Sequence, residues 1–260
     1  MSSISVVIVT LNEEANIRRC LESAKWADEV IVVDSGSTDR TVEICREYGC
    51  RVLVHEWTGD GPQKAYAIEQ ATSNWVLVLD ADEELTDALV SEIRETIESP
   101  TAADVFFLSR RNSFLGKWMG HGGWYPDRVA RLFKREGARW SSKITHSHLD
   151  LARDTKTARL KNDLLHYTYP TLREFIRKAD RFSTKQAEQV LAENRIPRRL
   201  RLRLITAFPR KFAETYIYKG GWRDGMHGFV ASVLMATRVF MRYAKLWEQV
   251  MERNGRNGRQ

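Results

Sequence analysis

The chain has 260 residues, 43% hydrophobic and 29% charged. That is enough for one sizeable core plus an appendage, and the composition excludes a disordered chain. Lysines and arginines outnumber acids 41 to 34, a net charge of +7, which favours acidic partners such as nucleotides, phosphorylated glycans, nucleic acid or anionic lipid.

The opening "MSSISVVIVT" lacks the basic lead of a secretory signal. The three cysteines, Cys20, Cys45 and Cys50, are odd in number and lack paired metal-type spacing, which argues for buried thiols in a reducing compartment. Four runs rich in Val, Ile and Leu occupy 4–10, 29–34, 51–56 and 74–80. They are nearly continuous rather than alternating, which predicts strands buried on both faces, as in a parallel sheet. Helical spacing separates them. Asn12 is placed to cap a helix carrying Ile17, Leu21 and Ala24, and Asp39 one carrying Val42, Cys45 and Tyr48. Leu85, Leu89, Ile93 and Ile97 predict a further helix, closed by Pro100.

This alternation predicts a doubly wound α/β sheet. Ligands of such sheets bind beyond the carboxyl ends of the strands. Thr10 with Asn12, then Asp34, then Asp80 with Asp82 all stand at run ends. Neither G-x-G-x-x-G nor G-x-x-x-x-G-K-[ST] is present, so dinucleotide and P-loop readings lose their support. Asp80 and Asp82 are two residues apart and point to the same side of an extended segment. Carboxylates so close repel unless a cation sits beside them. Mg²⁺ or Mn²⁺ commonly takes one or two carboxylates plus substrate phosphates. Glu83 and Glu84 read as the solvated acidic start of the following helix.

"ISVVIVTLNEE", "VIVVDSGSTDRT" and "VLVLDADEEL", in this order and spacing, resemble the family 2 glycosyltransferases, which have the GT-A fold. The resemblance implies a UDP-sugar donor, a divalent metal (Mg²⁺ or Mn²⁺) and an inverting single displacement. By position it implies that Thr10, Asn12 and Glu14 line the nucleotide and that Asp34 binds uracil or ribose. Lys64 would lie near the base and phosphates, although a lone helical lysine is otherwise a solvated charge. Asp80 would contact ribose or metal, and Asp82 would ligate the metal bridging the diphosphate.

The stretch 110–135 combines Trp118, His121, Trp124 and Tyr125 with four glycines, a content that suits either sugar binding or a core. Within it, "GGWYPDRVARLFKR" resembles bacterial β-glycosyltransferases that add glucose to the inner-core heptose of lipopolysaccharide, and "RLFKR" predicts a strand. An inverting enzyme needs a group to take the acceptor's proton. Asp127 is the first candidate, with a salt bridge or loop cap as its other role. Members of this subgroup carry a His-Glu pair shortly afterwards. Here His146 is kept but Ser147 stands where Glu is expected, so His146, His148 and Asp150 are further candidates.

Residues 195–211 hold seven basic residues and no acid. Short helices are predicted between Pro197 and Pro209, then two helices separated by "GGWRDG". The apolar run 229–241 is interrupted by Arg238 and falls short of the ~20 residues that span a bilayer. This basic, aromatic region suits nucleic acid, a membrane surface or packing on the catalytic domain, and the resemblance favours peripheral contact with an anionic membrane, with no nucleic acid.

The expected organisation is therefore a GT-A catalytic domain over 1–165, a helical extension over 166–250 and a disordered tail over 251–260. The expected activity is transfer of a hexose, glucose, from a UDP-sugar to a lipid-linked surface glycan, at the cytoplasmic face of the inner membrane. A non-catalytic nucleotide-sugar-binding module and a sugar nucleotidyltransferase are the alternatives.

Overall fold

The protein's structure, a computed structural model, describes residues 2–100, 103–141 and 148–257. It divides into two compact units, Met1–Arg111 with Pro126–Tyr167, and Asn112–Tyr125 with Thr168–Gln260. The boundary expected at 165/166 thus falls at 167/168, and residues 112–125 group with the later part of the chain.

The chain begins with β1 (Ile4–Thr10), α1 (Ile17–Ala24), β2 (Glu29–Asp34), α2 (Thr41–Glu47), β3 (Arg51–Val54), α3 (Asp60–Glu69) and β4 (Trp75–Asp80). Next come β5 (Glu83–Leu85), α4 (Asp87–Glu98), β6 (Val105–Phe114), β7 (Lys117–Trp118), β8 (Asp127–Lys134), β9 (Arg139–Trp140), β10 (Leu149–Asp150) and β11 (Thr157–Tyr169). The main sheet runs β3-β2-β1-β4-β8-β6-β11-β5. Its β3-β2-β1-β4 half is parallel, while β8 joins β4 and β6 antiparallel and β5 joins β11 antiparallel.

The continuity of the apolar runs has a direct cause. Ile4, Val6 and Ile8 of β1, with Leu77 and Leu79 of β4, face a core shared with Ile17, Leu21, Leu89 and Ile93 of α1 and α4. Val7, Val76 and Val78 face the opposite core with Ala67 and Ile68 of α3. Both sheet faces are covered, so successive residues must all be apolar.

Local expectations differ at Asn12 and at Leu85. Asn12 does not cap α1: its φ is 55° and its Oδ1 accepts from the Thr38 N–H. Leu85 belongs to β5, and α4 starts two residues later, capped by the Thr86 side chain. Cys20 and Cys45 are buried and Cys50 half-buried, and all three are free.

The second unit continues with α5 (Leu172–Ala192), α6 (Leu200–Phe212), a π-helical turn (Ala213–Tyr218), a 3-10 turn (Gly221–Asp224) and α7 (Gly225–Asn257). Helix α6 runs straight through Pro209, where the sequence predicts a break. Helix α7 continues to Asn257, into the expected disordered tail. Among the described residues, Phe114, Met119, Trp124, Tyr169 and Phe175 form the larger of this unit's two apolar clusters, so Trp124 takes the packing role of the two open to it.

The 3-10 turn locks the 117–122 loop. The Asp224 carboxylate accepts from the N–H groups of Gly120 (3.3 Å) and His121 (2.8 Å), and Lys117 Nζ donates to the Asp224 carbonyl at 2.7 Å. Gly221 and Gly228 approach so closely that a Cβ on Gly228 would stand 1.8 Å from the Gly221 oxygen. Among the described residues, no helix is long and apolar enough to cross a membrane.

Candidate active site

Register brings the predicted polar residues together. In the parallel half of the sheet, Thr10 pairs with Asp34 and Val9 with Asp80. Three strand ends therefore present Thr10, Asp34 and Asp80 at the carboxyl edge, where α/β sheets bind ligands. Thr10 is buried, and its hydroxyl is among the buried polar atoms left without a hydrogen-bond partner.

The Asp34 carboxylate accepts from the N–H groups of Gly36 and Ser37, both at 2.8 Å, which turns the "DSGS" loop back over its strand. Glu14 accepts from the Arg40 N–H at 3.0 Å and Asn12 from the Thr38 N–H at 2.8 Å, so both side chains tie the β1 loop to the β2 loop.

Asp80 sits in a charge cluster. Its carboxylate meets Lys64 Nζ at 2.8 Å and is hydrogen-bonded by the Arg131 guanidinium. Lys64 is buried on α3 and also reaches Asp60 at 3.0 Å, so it is not a solvated helix charge. Burial alone would push the Asp80 carboxyl up; the cations of Arg131 and Lys64 outweigh it and hold the group well below the usual carboxylate range.

Glu83, expected to be solvated, is fully buried. It accepts from the Asp80 N–H (2.9 Å), from Arg131 (2.9 Å) and from Arg110 (3.2 Å). The expectation failed because a glutamate just past a strand reads alike whether it starts a helix or, as here, enters β5. Arg110 also grips Asp127 through two nitrogens, at 3.0 and 2.7 Å, because β6 and β8 pair these residues directly. Asp127 thereby joins the cluster at one remove from Asp80.

Asp82 lies beside a residue the sequence reading missed. The pairing of β5 with β11 sets His166 opposite Glu83, and His166 Nε2 comes to 3.4 Å from an Asp82 carboxylate oxygen. The donor set fits a divalent cation in one respect: a carboxylate oxygen and an imidazole nitrogen stand together at the sheet edge. Among the described residues no group of three such side chains could hold a metal by itself, so most of the ion's ligands would come from substrate phosphates and water, as Mg²⁺ commonly requires.

His146 and Ser147 lie outside the described residues. His148 and Asp150 are exposed and face each other at 3.5 Å. The sequence did not mark Arg110, Arg131 or His166 as site residues: Arg110 stands beside Arg111, Arg131 opens the strand stretch "RLFKR" with no sign of its partner, and His166 is a lone histidine on β11.

Residues 5–181 match the family model for Glycosyl transferase family 2. The chain is 30% identical over 257 residues to the lipopolysaccharide core biosynthesis glycosyltransferase LpsC of Rhizobium meliloti (strain 1021), spanning 95% of this chain and 92% of that protein. It is 32% identical over 260 residues to an uncharacterized glycosyltransferase of Rickettsia typhi (strain ATCC VR-144 / Wilmington), spanning 95% and 88%. Among solved structures, S. aureus TarS 1-349 in complex with UDP is similar in fold, with a TM-score of 0.50 at 16% identity over 94% of this chain and 91% of that one.

Proposed function

The chain belongs to the family 2 glycosyltransferases and has the GT-A fold, and we propose that it transfers glucose from UDP-glucose to a lipid-linked surface glycan, the inner-core heptose of lipopolysaccharide. The observation that carries the reading is the register that aligns Thr10, Asp34 and Asp80 at one sheet edge, with Asp82 next along the chain. The relative from R. meliloti, named for lipopolysaccharide core biosynthesis, supports the choice of acceptor.

In this reading Thr10, Asn12, Glu14 and Asp34 line the nucleotide, and Lys64 and Asp80 form the floor beneath its ribose and phosphates. Asp82 and His166 would hold Mg²⁺ or Mn²⁺, which when bound neutralises charge on the departing diphosphate. The acceptor hydroxyl attacks the anomeric carbon from the face opposite UDP. As the carbon–phosphate-oxygen bond breaks, the hydroxyl proton passes to the Asp127 carboxylate, which Arg110 holds in place. The sugar ends bonded to the acceptor oxygen with its anomeric configuration inverted, and UDP leaves with the electron pair of the broken bond. The protein works at the cytoplasmic face of the inner membrane, in peripheral contact with anionic lipid.

UDP release from UDP-glucose, with Mn²⁺ or Mg²⁺ and a heptose-bearing acceptor, tests this. Asp82→Ala is expected to lower turnover by about a hundredfold or more. Metal-dependent UDP binding without turnover would replace the reading with a binding module. Pyrophosphate release from a nucleoside triphosphate would replace it with a nucleotidyltransferase.

A further inference from the structure

The helical unit has an apolar side that stands largely exposed. On α6, Leu202, Ile205, Phe208 and Phe212 recur at intervals of three and four, away from buried Leu200 and Ala207. The stripe continues past the helix end. Phe208, Phe212 and Tyr216 stack in series, with ring centroids 6.3 and 5.1 Å apart. Phe229 of α7 stands edge-on to Phe212 and Tyr216 at 6.0 and 5.7 Å. The three most exposed large apolar side chains among the described residues are Tyr218 (84%), Ile205 (73%) and Met226 (72%), and all belong to this region. A monomeric protein rarely leaves a contiguous apolar patch of this kind bare without a use for it.

The charge around the patch identifies what covers it. Residues 195–212 contain no acid. Arg199, Arg201, Arg203 and Arg210 have no acidic partner among the described residues, whereas Arg195 and Lys211 do. Arg201 is exposed within the apolar stripe, and Arg203 and Arg210 are exposed farther round the same helix, beyond the stripe's edge. A water-filled surface satisfies the arginines but not the stripe, and an apolar protein partner the reverse. The interfacial layer of an anionic bilayer satisfies both, with acyl chains against the stripe and phosphates against the guanidinium groups. Tyr218 and Trp222 suit the headgroup level, each with an apolar body and a polar tip.

We infer that the face built from α6, the π-helical turn and the first turns of α7 docks in the interfacial layer of an anionic phospholipid bilayer. This rests on the peripheral-membrane part of the proposed function and assigns it to particular residues.

The test is co-sedimentation of the full chain with vesicles of phosphatidylcholine alone or mixed with phosphatidylglycerol. Binding is expected only to the mixed vesicles and is expected to weaken with added salt. Ile205→Asp with Phe208→Asp is expected to weaken it about tenfold or more, and Arg201→Glu with Arg210→Glu comparably. UDP release and the thermal melt should be unchanged, and Tyr218→Asp with Met226→Asp gives a second pair should the first disturb folding. Wild-type protein that ignores anionic vesicles would overturn both the face and the membrane reading, leaving the glycosyl-transfer reading to its own assay. Binding that survives both aspartate pairs would overturn the face alone. Equal binding to neutral vesicles would remove the role of the arginines. A dimer that the aspartate pairs dissociate would reassign the face to contact between copies of the chain.

Discussion

Arg131, itself buried, holds two carboxylates at once, the fully buried one of Glu83 and the half-buried one of Asp80. Removing one partner of a buried ion pair strands the other charge. Arg131→Met is therefore expected to cost about 3–5 kcal/mol in urea unfolding. Asp80 adds a pH signature. Because the folded state holds its carboxyl well below the unfolded value of ~3.9, its contribution is present above that value and is lost as pH falls through the folded one. The stability gap between wild type and Asp80→Asn should be widest near neutral pH and close in strong acid. Thiols supply a third check: burial pushes Cys20 well up, Cys45 to about 12 and Cys50 to about 11. All three should label slowly with iodoacetamide at neutral pH until the protein is denatured. At this scale the sequence displayed the acids but not their partners. Asp80 and Asp82 stand out beside a strand, whereas Arg110 and Arg131 lie 27 and 48 residues beyond Glu83 and are arginines like any others until β6 and β8 close on β4.

The crossing of Gly221 and Gly228 sets the geometry of the turn between the π-helical segment and α7. A methyl on Gly228 would overlap the Gly221 carbonyl, so Gly228→Ala is expected to cost about 1–3 kcal/mol or more, read as a lowered melting temperature. Asp224→Ala should cost about 1–3 kcal/mol, because it strands the Gly120 and His121 N–H groups, and should make the 117–122 loop a site of early proteolysis. Local periodicity revealed β1 and β2 to the residue, since a short, unbroken run of β-branched residues packs best as a strand covered on both faces. It failed where propensity and tertiary packing disagree. Proline argues against a helix at 209, yet α6 passes through it. "DEEL" reads as a helix start, yet β11 recruits it as a strand.

At the scale of the whole molecule, the alternation of strands and helices was enough to predict a doubly wound sheet, and the motifs at its strand ends were enough to indicate the family. Strand order was not legible, because insertion of β8 between β4 and β6 depends on long-range pairing that no local pattern encodes. The same holds for the grouping of residues 112–125 with the helices that follow Tyr167. That grouping bears on how such a molecule could have arisen. A segment threaded back from mid-chain cannot be inherited as a detachable cassette, since a recombination event near residue 165 would transplant the helices while leaving Phe114, Met119 and Trp124, much of their hydrophobic interior, with the donor. The helical unit and the strands that interrupt it are thus expected to have diverged together, residue by residue, rather than by exchange of modules.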